Sequence, residues 1–227
     1  MKNPLISLTI VLTTMLSCTQ KPQGATTHNG TDSTKTMTNA SAAAAPFDLA
    51  KLTLKEKIMD QLTAQGIKPK PKEATDQTLL DFEVAKSRDP KVLRFNGKDF
   101  SASQSEVLFH YRENDKTLGF YELKLHSEQQ AGELITELDK VGKQVFKKTG
   151  TAKGSIELDE NGNEVKPGKG ETKKYFVWEN AATGVSYYLI ETGSGQNFDA
   201  ELTALKPSEQ SGKDWIAFRS FDWYKKQ

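Results

Sequence analysis

Two runs of alternating residues constrain the fold of this chain most strongly. Both place large apolar side chains at every second position, with Val107, Phe109 and Tyr111 in the first run and Tyr121, Leu123 and Leu125 in the second. This period is typical of strands that bury one face, and a slip of one residue in the pairing turns that face to water. A three-residue loop at 114–116 keeps both sets on one face. It predicts that Phe109 pairs with Tyr121 and Tyr111 with Gly119.

Other segments carry weaker strand signals. They are 78–84, 92–95 before the turn Asn96-Gly97, 156–165 around Asn161-Gly162, 175–178 with 185–190, and 198–205. Asn-Gly pairs favour tight hairpin turns. The last segment, 215–224, also reads as a strand, because Trp215, Ala217, Phe221 and Trp223 share one parity.

Two segments have the period of a helix. Leu54, Ile58 and Leu62 predict a short amphipathic helix over 53–65 that ends at Gly66. A longer apolar stripe predicts a helix over about 128–149, with Ser127 and Gln130 as a capping box. The predicted fold class is therefore α+β, a mostly antiparallel sheet with one long and one short helix.

The N-terminus is typical of an export signal. Lys2 supplies a positive charge, and the following residues to Ser17 form a short, mostly apolar stretch. This stretch falls short of the roughly 20 apolar residues that a helix needs to cross a bilayer. We therefore expect residues 1–17 to be a signal peptide.

The segment Met15-Leu16-Ser17-Cys18 resembles the lipobox of bacterial lipoproteins. The resemblance implies cleavage before Cys18 and attachment of acyl chains such as palmitate to that residue. Cys18 is the only cysteine of the chain, so no internal disulfide can form. Thr19, in place of the Asp that favours inner-membrane retention in this class, implies the outer membrane, facing the periplasm.

Residues 19–46 contain no aromatic side chain and few large apolar ones. Such a composition cannot bury enough surface to offset the entropy of ordering. We expect 18–46 to be a lipidated flexible tether with a span on the order of 30 Å. Residues 47–227 remain, a length suited to a single α+β domain.

Charge does not indicate a nucleic-acid partner. The 31 basic and 30 acidic residues give a net charge of +1, and they are interspersed. DNA- and RNA-binding proteins present a basic stripe or cluster instead. We expect no nucleic acid among the partners.

The aromatic residues of the C-terminal third form the main candidate binding site. Trp178, Tyr187, Trp215 and Trp223 are expected on three strands, where they either line a groove for a ligand or fill the core.

Other patterns favour ordinary structure. A calcium loop beginning at Asp159 has Glu164 and Gly170 where an EF-hand needs Gly and Glu. Gly193-Ser194-Gly195 precedes a strand rather than a helix, which indicates a turn. His110 and His126 are expected on a solvated face without the three protein ligands of a zinc site. We expect no metal, no cofactor and no catalytic residue.

Three functions remain open. The first is a membrane-anchored periplasmic lipoprotein with a non-catalytic domain that binds another envelope protein or a toxin protein. The second is a carrier of a small lipid or saccharide. The third is an envelope hydrolase, which would need a histidine and a carboxylate, or two carboxylates, to converge in one cleft.

Overall fold

An antiparallel sheet of eight strands forms the centre of the protein. The structure, a computed structural model, describes residues 47–71, 81–151, 157–158, 164–165 and 170–225. All of them belong to the unit Ala43–Gln227. The predicted signal peptide, Cys18, the predicted tether and the predicted turn at Asn161-Gly162 lie outside the described residues.

The strands follow in chain order. They are β1 (Lys70–Pro71), β2 (Phe82–Ser87), β3 (Arg94–Phe95), β4 (Lys98–Asp99), β5 (Ser105–Arg112), β6 (Leu118–Leu125), β7 (Lys143–Thr151), β8 (Glu157–Leu158), β9 (Glu164–Val165), β10 (Thr172–Asn180), β11 (Val185–Thr192) and β12 (Asp199–Leu205). The large sheet has the order β1-β2-β5-β6-β12-β11-β10-β7, and β3–β4 and β8–β9 are separate two-stranded ribbons.

The β5–β6 hairpin largely follows the predicted register. Phe109 pairs with Tyr121, as predicted, and His110 pairs with Phe120. Tyr111 pairs with Leu118 instead of Gly119, because the register shifts after His110. Such a bulge inserts one unpaired residue and increases the local twist. Gly119 suits this place, since a Cβ there would lie 2.6 Å from the Phe82 ring.

The α-helices are α1 (Ile58–Ala64), α2 (Glu128–Val141), α3 (Gln210–Phe218) and α4 (Asp222–Lys225), and short 3-10 helices span Leu49–Lys51 and Gly195–Asn197. The α+β class and the mostly antiparallel sheet are confirmed. The prediction of one long and one short helix is too simple.

The long helix ends earlier than predicted. Ser127 caps α2 as expected by accepting from Gln130 N, but the helix stops at Val141 and residues 143–151 form β7. At Gly142 the backbone is extended, and a Cβ would lie 3.1 Å from Glu179 O. Pairing along β10 therefore overrides the helical propensity of this segment.

The predicted C-terminal strand is also wrong. Residues 210–225 fold as α3 and α4, and neighbouring Trp215 and Ile216 are both buried. A strand would point these two to opposite faces, whereas a helix packs both against the sheet. Gly212 permits close packing, because a Cβ there would lie 2.1 Å from Lys206 O.

The sheet has two differently covered faces. Residues 47–54, which we call the N-terminal segment, cover the first face together with α1 and α2. The larger apolar cluster on this face contains Phe109, Leu202 and Trp178. α3 and α4 cover the second face, where a smaller cluster contains Phe120 and Tyr188.

Candidate functional site

The described domain begins with a firmly held segment at Phe47. The Asp48 carboxylate accepts hydrogen bonds from the backbone N–H groups of Ala50 (3.1 Å), Asn96 (2.7 Å) and Gly97 (2.8 Å). Phe47 packs edge-on against Phe109, with ring centroids 5.8 Å apart. Residue 47, the first residue after the predicted tether, is thus fixed to the first face.

Two of the four predicted groove aromatics lie in the first face. Trp178 is 0% exposed, and its Nε1–H donates to Asp139 Oδ1 on α2 at 2.7 Å. Tyr187 is 2% exposed and contacts Phe95 at 5.6 Å. Both side chains are core residues.

The other two lie on the second face. Trp215 on α3 is 6% exposed and stacks on Phe120 at 4.3 Å. Trp223 on α4 is half-buried against Tyr175 (4.9 Å) and Phe146 (5.3 Å). The sheet separates the two pairs, so the four aromatics do not line one groove. Sequence parity placed Trp215 and Trp223 on a strand, and that assignment was wrong.

A buried ionic network lies beneath α3. His110 Nε2 donates to Glu122 Oε2 at 2.8 Å, and both side chains are almost fully buried. Arg219, at the end of α3, forms an ion pair with Glu201 on β12, and its Nη1 lies 3.8 Å from Glu122 Oε1. Lys124 Nζ lies 3.4 Å from Glu201 Oε2. The network thus connects β5, β6, β12 and α3.

The two carboxylates have different proton affinities. Burial alone raises the pKa of Glu122, but the hydrogen bond from His110, the charge of His110 and the Arg219 guanidinium lower it to about 2 from the ordinary 4.5. Burial and the neighbouring Glu122 charge raise the pKa of Glu201. The pair therefore titrates as a unit in which Glu122 holds the charge and Glu201 takes up the proton first.

The network is closed to a substrate in this structure. The His110 ring stacks on Phe120 at 4.1 Å and lies 5.2 Å from Trp215. Within the described residues, Glu122 Oε1 and Trp215 Nε1 are buried without a hydrogen-bond partner. The expectation that His110 is solvated was wrong, because α3 covers the polar side of the hairpin.

His126 differs from His110. It is exposed, and its Nδ1 lies 2.5 Å from the exposed Asp199. The two histidines do not meet. Within the described ranges no group of three or more histidine, cysteine or acidic residues is placed to hold a metal.

An open cleft, which we call the α2 cleft, lies between α2 and the neighbouring strands β7 and β10. It has a volume of about 580 Å³, with Ile135 and Asp139 on the helix side, Lys147 and Thr149 on β7, and Phe176 at the base. Lys147 Nζ stands 5.7 Å from the Phe176 ring centroid. This cleft was not predicted, since residues 143–149 were expected to continue the helix.

β7 is one of the two end strands of the large sheet, and β1 is the other. β7 pairs with β10 on one side and, among the described strands, has no neighbour on the other. Most of its residues are exposed, including three lysines, and Val145 sits at a register shift opposite Val177 and Trp178. Lysines and bulges at sheet edges discourage indiscriminate strand pairing.

The Gly193-Ser194-Gly195 segment forms a turn, as predicted, but it leads into the short 3-10 helix Gly195–Asn197 rather than directly into a strand. Gly193 and Gly195 have φ values of +75° and +59°, and β12 follows. The segment that begins at Asp159, where the calcium-loop pattern fails, lies mostly outside the described residues.

None of the helices in the described ranges has the length and hydropathy needed to cross a bilayer. Comparison with family models, curated proteins and solved structures finds no match for this chain.

Proposed function

We propose that this protein is an exported lipoprotein, anchored through Cys18 in the outer membrane, whose periplasmic domain binds an extended segment of another envelope or toxin protein. The exposed edge of β7 beside the α2 cleft carries the proposal for binding. The lipobox-like sequence carries the proposal for anchoring.

The beginning of the domain is compatible with tethering. The three hydrogen bonds to Asp48 and the buried Phe47 hold the first described residues against the core. If the tether pulls on residue 47, the force therefore acts on a well-packed segment rather than on a frayed end. Lipid anchoring therefore requires no rearrangement of the described fold.

The end strand suits a partner that adds a strand. An extended peptide beside β7 would gain main-chain hydrogen bonds, while alternate side chains would reach pockets next to the edge. Gln144, Lys147 and Thr149 line the cleft from β7, so the cleft adjoins the positions where such side chains would lie.

The charges of β7 itself favour an acidic partner segment. Lys143, Lys147 and Lys148 are exposed along β7, and an incoming strand with acidic residues would neutralise them. A basic strand would be repelled, because like charges opposite one another destabilise a strand pair. The same lysines thus discourage self-pairing and select the partner.

An envelope hydrolase is the second candidate, because His110, Glu122 and Glu201 converge on the second face. Catalysis there would need α3 to move away, since His110 is 3% exposed. The carrier has less support, because the aromatic pairs are separated by the sheet.

Mass spectrometry of the processed protein tests the anchor. We expect a chain that begins at acylated Cys18 and fractionates with outer membranes, and a Cys18→Ala variant that is not acylated. A mature chain with a free thiol, or with another N-terminus, would overturn the anchoring.

Photo-crosslinking in cells tests the binding edge. A photoreactive amino acid at Thr149 should yield a defined adduct with another envelope protein, and Lys147→Glu with Lys148→Glu should abolish it. The same probe at Thr53, an exposed threonine before α1, serves as the matched control. Identical adducts at both positions, or none at Thr149, would count against binding through β7.

A further inference from the structure

A partly exposed aromatic surface lies on the second face, away from the α2 cleft. We call Tyr175, Trp223 and Tyr224 the aromatic patch. Phe146 lies 5.3 Å from Trp223 and 5.8 Å from Tyr224, and Tyr175 lies 4.9 Å from Trp223. None of the three is fully buried.

The patch combines apolar rings with polar tips. The Tyr224 hydroxyl donates to Glu179 Oε1 at 2.7 Å. Tryptophan and tyrosine with one apolar and one wet end are enriched where proteins meet the headgroup region of a bilayer. The two exposed large apolar residues of the described part belong to neighbouring elements: Val145 (39%) adjoins Phe146, and Phe218 (45%) lies on α3.

Three lysines lie on the same face of the sheet as these rings. On the second face, β7 and β10 carry Lys143, Lys148 and Lys173 against a single carboxylate, that of Glu179. Lys148 is directly opposite Tyr175 in the β7–β10 register. Basic residues beside amphipathic rings attract a surface with anionic headgroups.

We propose that the aromatic patch and its lysines dock the domain on an anionic lipid surface, with Trp223 at the headgroup level. This inference rests on the proposed export and lipid anchoring, which would bring the domain close to a bilayer. The α2 cleft lies on the opposite face of the sheet and would remain open to a partner.

Vesicle binding by the mature chain without its lipid tests this inference. Residues 18–227 with Cys18→Ser are mixed with vesicles of phosphatidylglycerol and phosphatidylethanolamine, or of phosphatidylcholine alone. Trp178 and Trp215 are 0% and 6% exposed, so a lipid-induced blue shift and quenching by brominated acyl chains report on Trp223. We expect both effects with phosphatidylglycerol and little with phosphatidylcholine.

Charge variants sharpen the result. Lys148→Glu with Lys173→Glu should lower partitioning at least 20-fold, taking roughly fivefold for each lysine near an anionic surface. The matched control, Lys51→Glu with Lys68→Glu, changes two exposed lysines in segments that cover the first face. Circular dichroism establishes that each variant is folded.

Three outcomes would overturn the docking. They are no fluorescence change with phosphatidylglycerol, equal binding to both vesicle types, and an equal loss in the control variant. Acylation of Cys18 is measured separately by mass spectrometry. If the native protein is acylated but the Cys18→Ser chain fails to bind vesicles, the docking is disproved and the anchor stays in place.

Discussion

The two faces of the sheet are held in different ways. On the first face, α2 and the N-terminal segment enclose a continuous apolar cluster, and Trp178 meets Asp139 at its margin. On the second face, α3 covers a histidine and two glutamates beside a smaller aromatic cluster. The first face gains most of its stability from apolar area, which is insensitive to pH. The second depends on charges whose burial is costly unless they are paired.

The two kinds of packing constrain the fold differently. Apolar packing tolerates the exchange of one apolar side chain for another but is sensitive to side-chain volume, whereas a buried ion pair fixes one arrangement of its groups. Arg219 couples the end of α3 to Glu201, and Trp215 lies over His110. We infer that the second face holds the C-terminal helices in one position, while the first face carries most of the stability.

Trp178→Ala should have the largest effect. It removes a fully buried indole from the first face and leaves the Asp139 carboxylate without its donor, so we expect a loss of roughly 4–5 kcal/mol in unfolding free energy. Urea denaturation followed by circular dichroism measures it. Trp223→Ala, at a half-buried position on the second face, should lower the unfolding free energy by less than about half of that amount. Equal losses would contradict the division between the faces.

Glu122→Ala should lower the free energy of unfolding by about 3 kcal/mol. The reason is that His110 and Arg219 are then left next to a cavity without their carboxylate partner. The double variant His110→Leu with Glu122→Met replaces the pair by apolar side chains of similar size and should be close to the wild type. The same urea denaturation compares them. A double variant as unstable as the single one would show that the pair itself stabilises the second face.

Acid should weaken the second face specifically. The pKa of Glu122 is lowered to about 2 from 4.5, so its contribution is present above pH 4.5 and is lost as the pH falls towards 2. The raised pKa of Glu201 stabilises the folded protein at low pH instead. This stabilisation is already fully present once the pH is below 4.5, so it does not change between pH 4.5 and 2. Between pH 4.5 and 2, the wild type should therefore lose more stability than the double variant. Parallel curves in this window would exclude Glu122 as the cause.

Ser127→Ala should have the smallest effect, about 1 kcal/mol, because it removes the side chain that accepts from Gln130 N at the start of α2. Thr136→Ala, at an exposed position within the same helix, is the control and should change stability by less than about 0.5 kcal/mol. Thermal unfolding distinguishes the two. A larger effect at Thr136 would show that capping does not limit the stability of α2.

Local patterns predicted the hairpins well. The alternation of 175–178 and 185–190 gave β10 and β11, in which Trp178 pairs with Tyr187. Asn96-Gly97 forms the predicted turn between β3 and β4, with both residues at positive φ. The pairing of strands within a hairpin can be predicted from the sequence, because the turn-forming residues and the side-chain parity that set it act over a few residues.

The candidate sites were less accessible to sequence reasoning. The His110–Glu122 pair has a local signal, since His110 opposes Phe120 and Glu122 is two residues further along β6. Its burial has no such signal, because the cover comes from α3, about 90 residues later. The β7 edge was missed because the stripe through Val141 and Val145 continues a helical period that the structure breaks at Gly142.

The sequence by itself determined the strand parity of the hairpins, the cap and inward stripe of α2, and the pattern that predicts export and acylation at Cys18. These are properties of neighbouring residues. Only the tertiary structure decided that 143–151 is a strand, that 210–225 is helical, and that a histidine expected in water is buried. In each case the free energy of pairing or burial against a distant segment exceeds a local preference of a few tenths of a kcal/mol per residue.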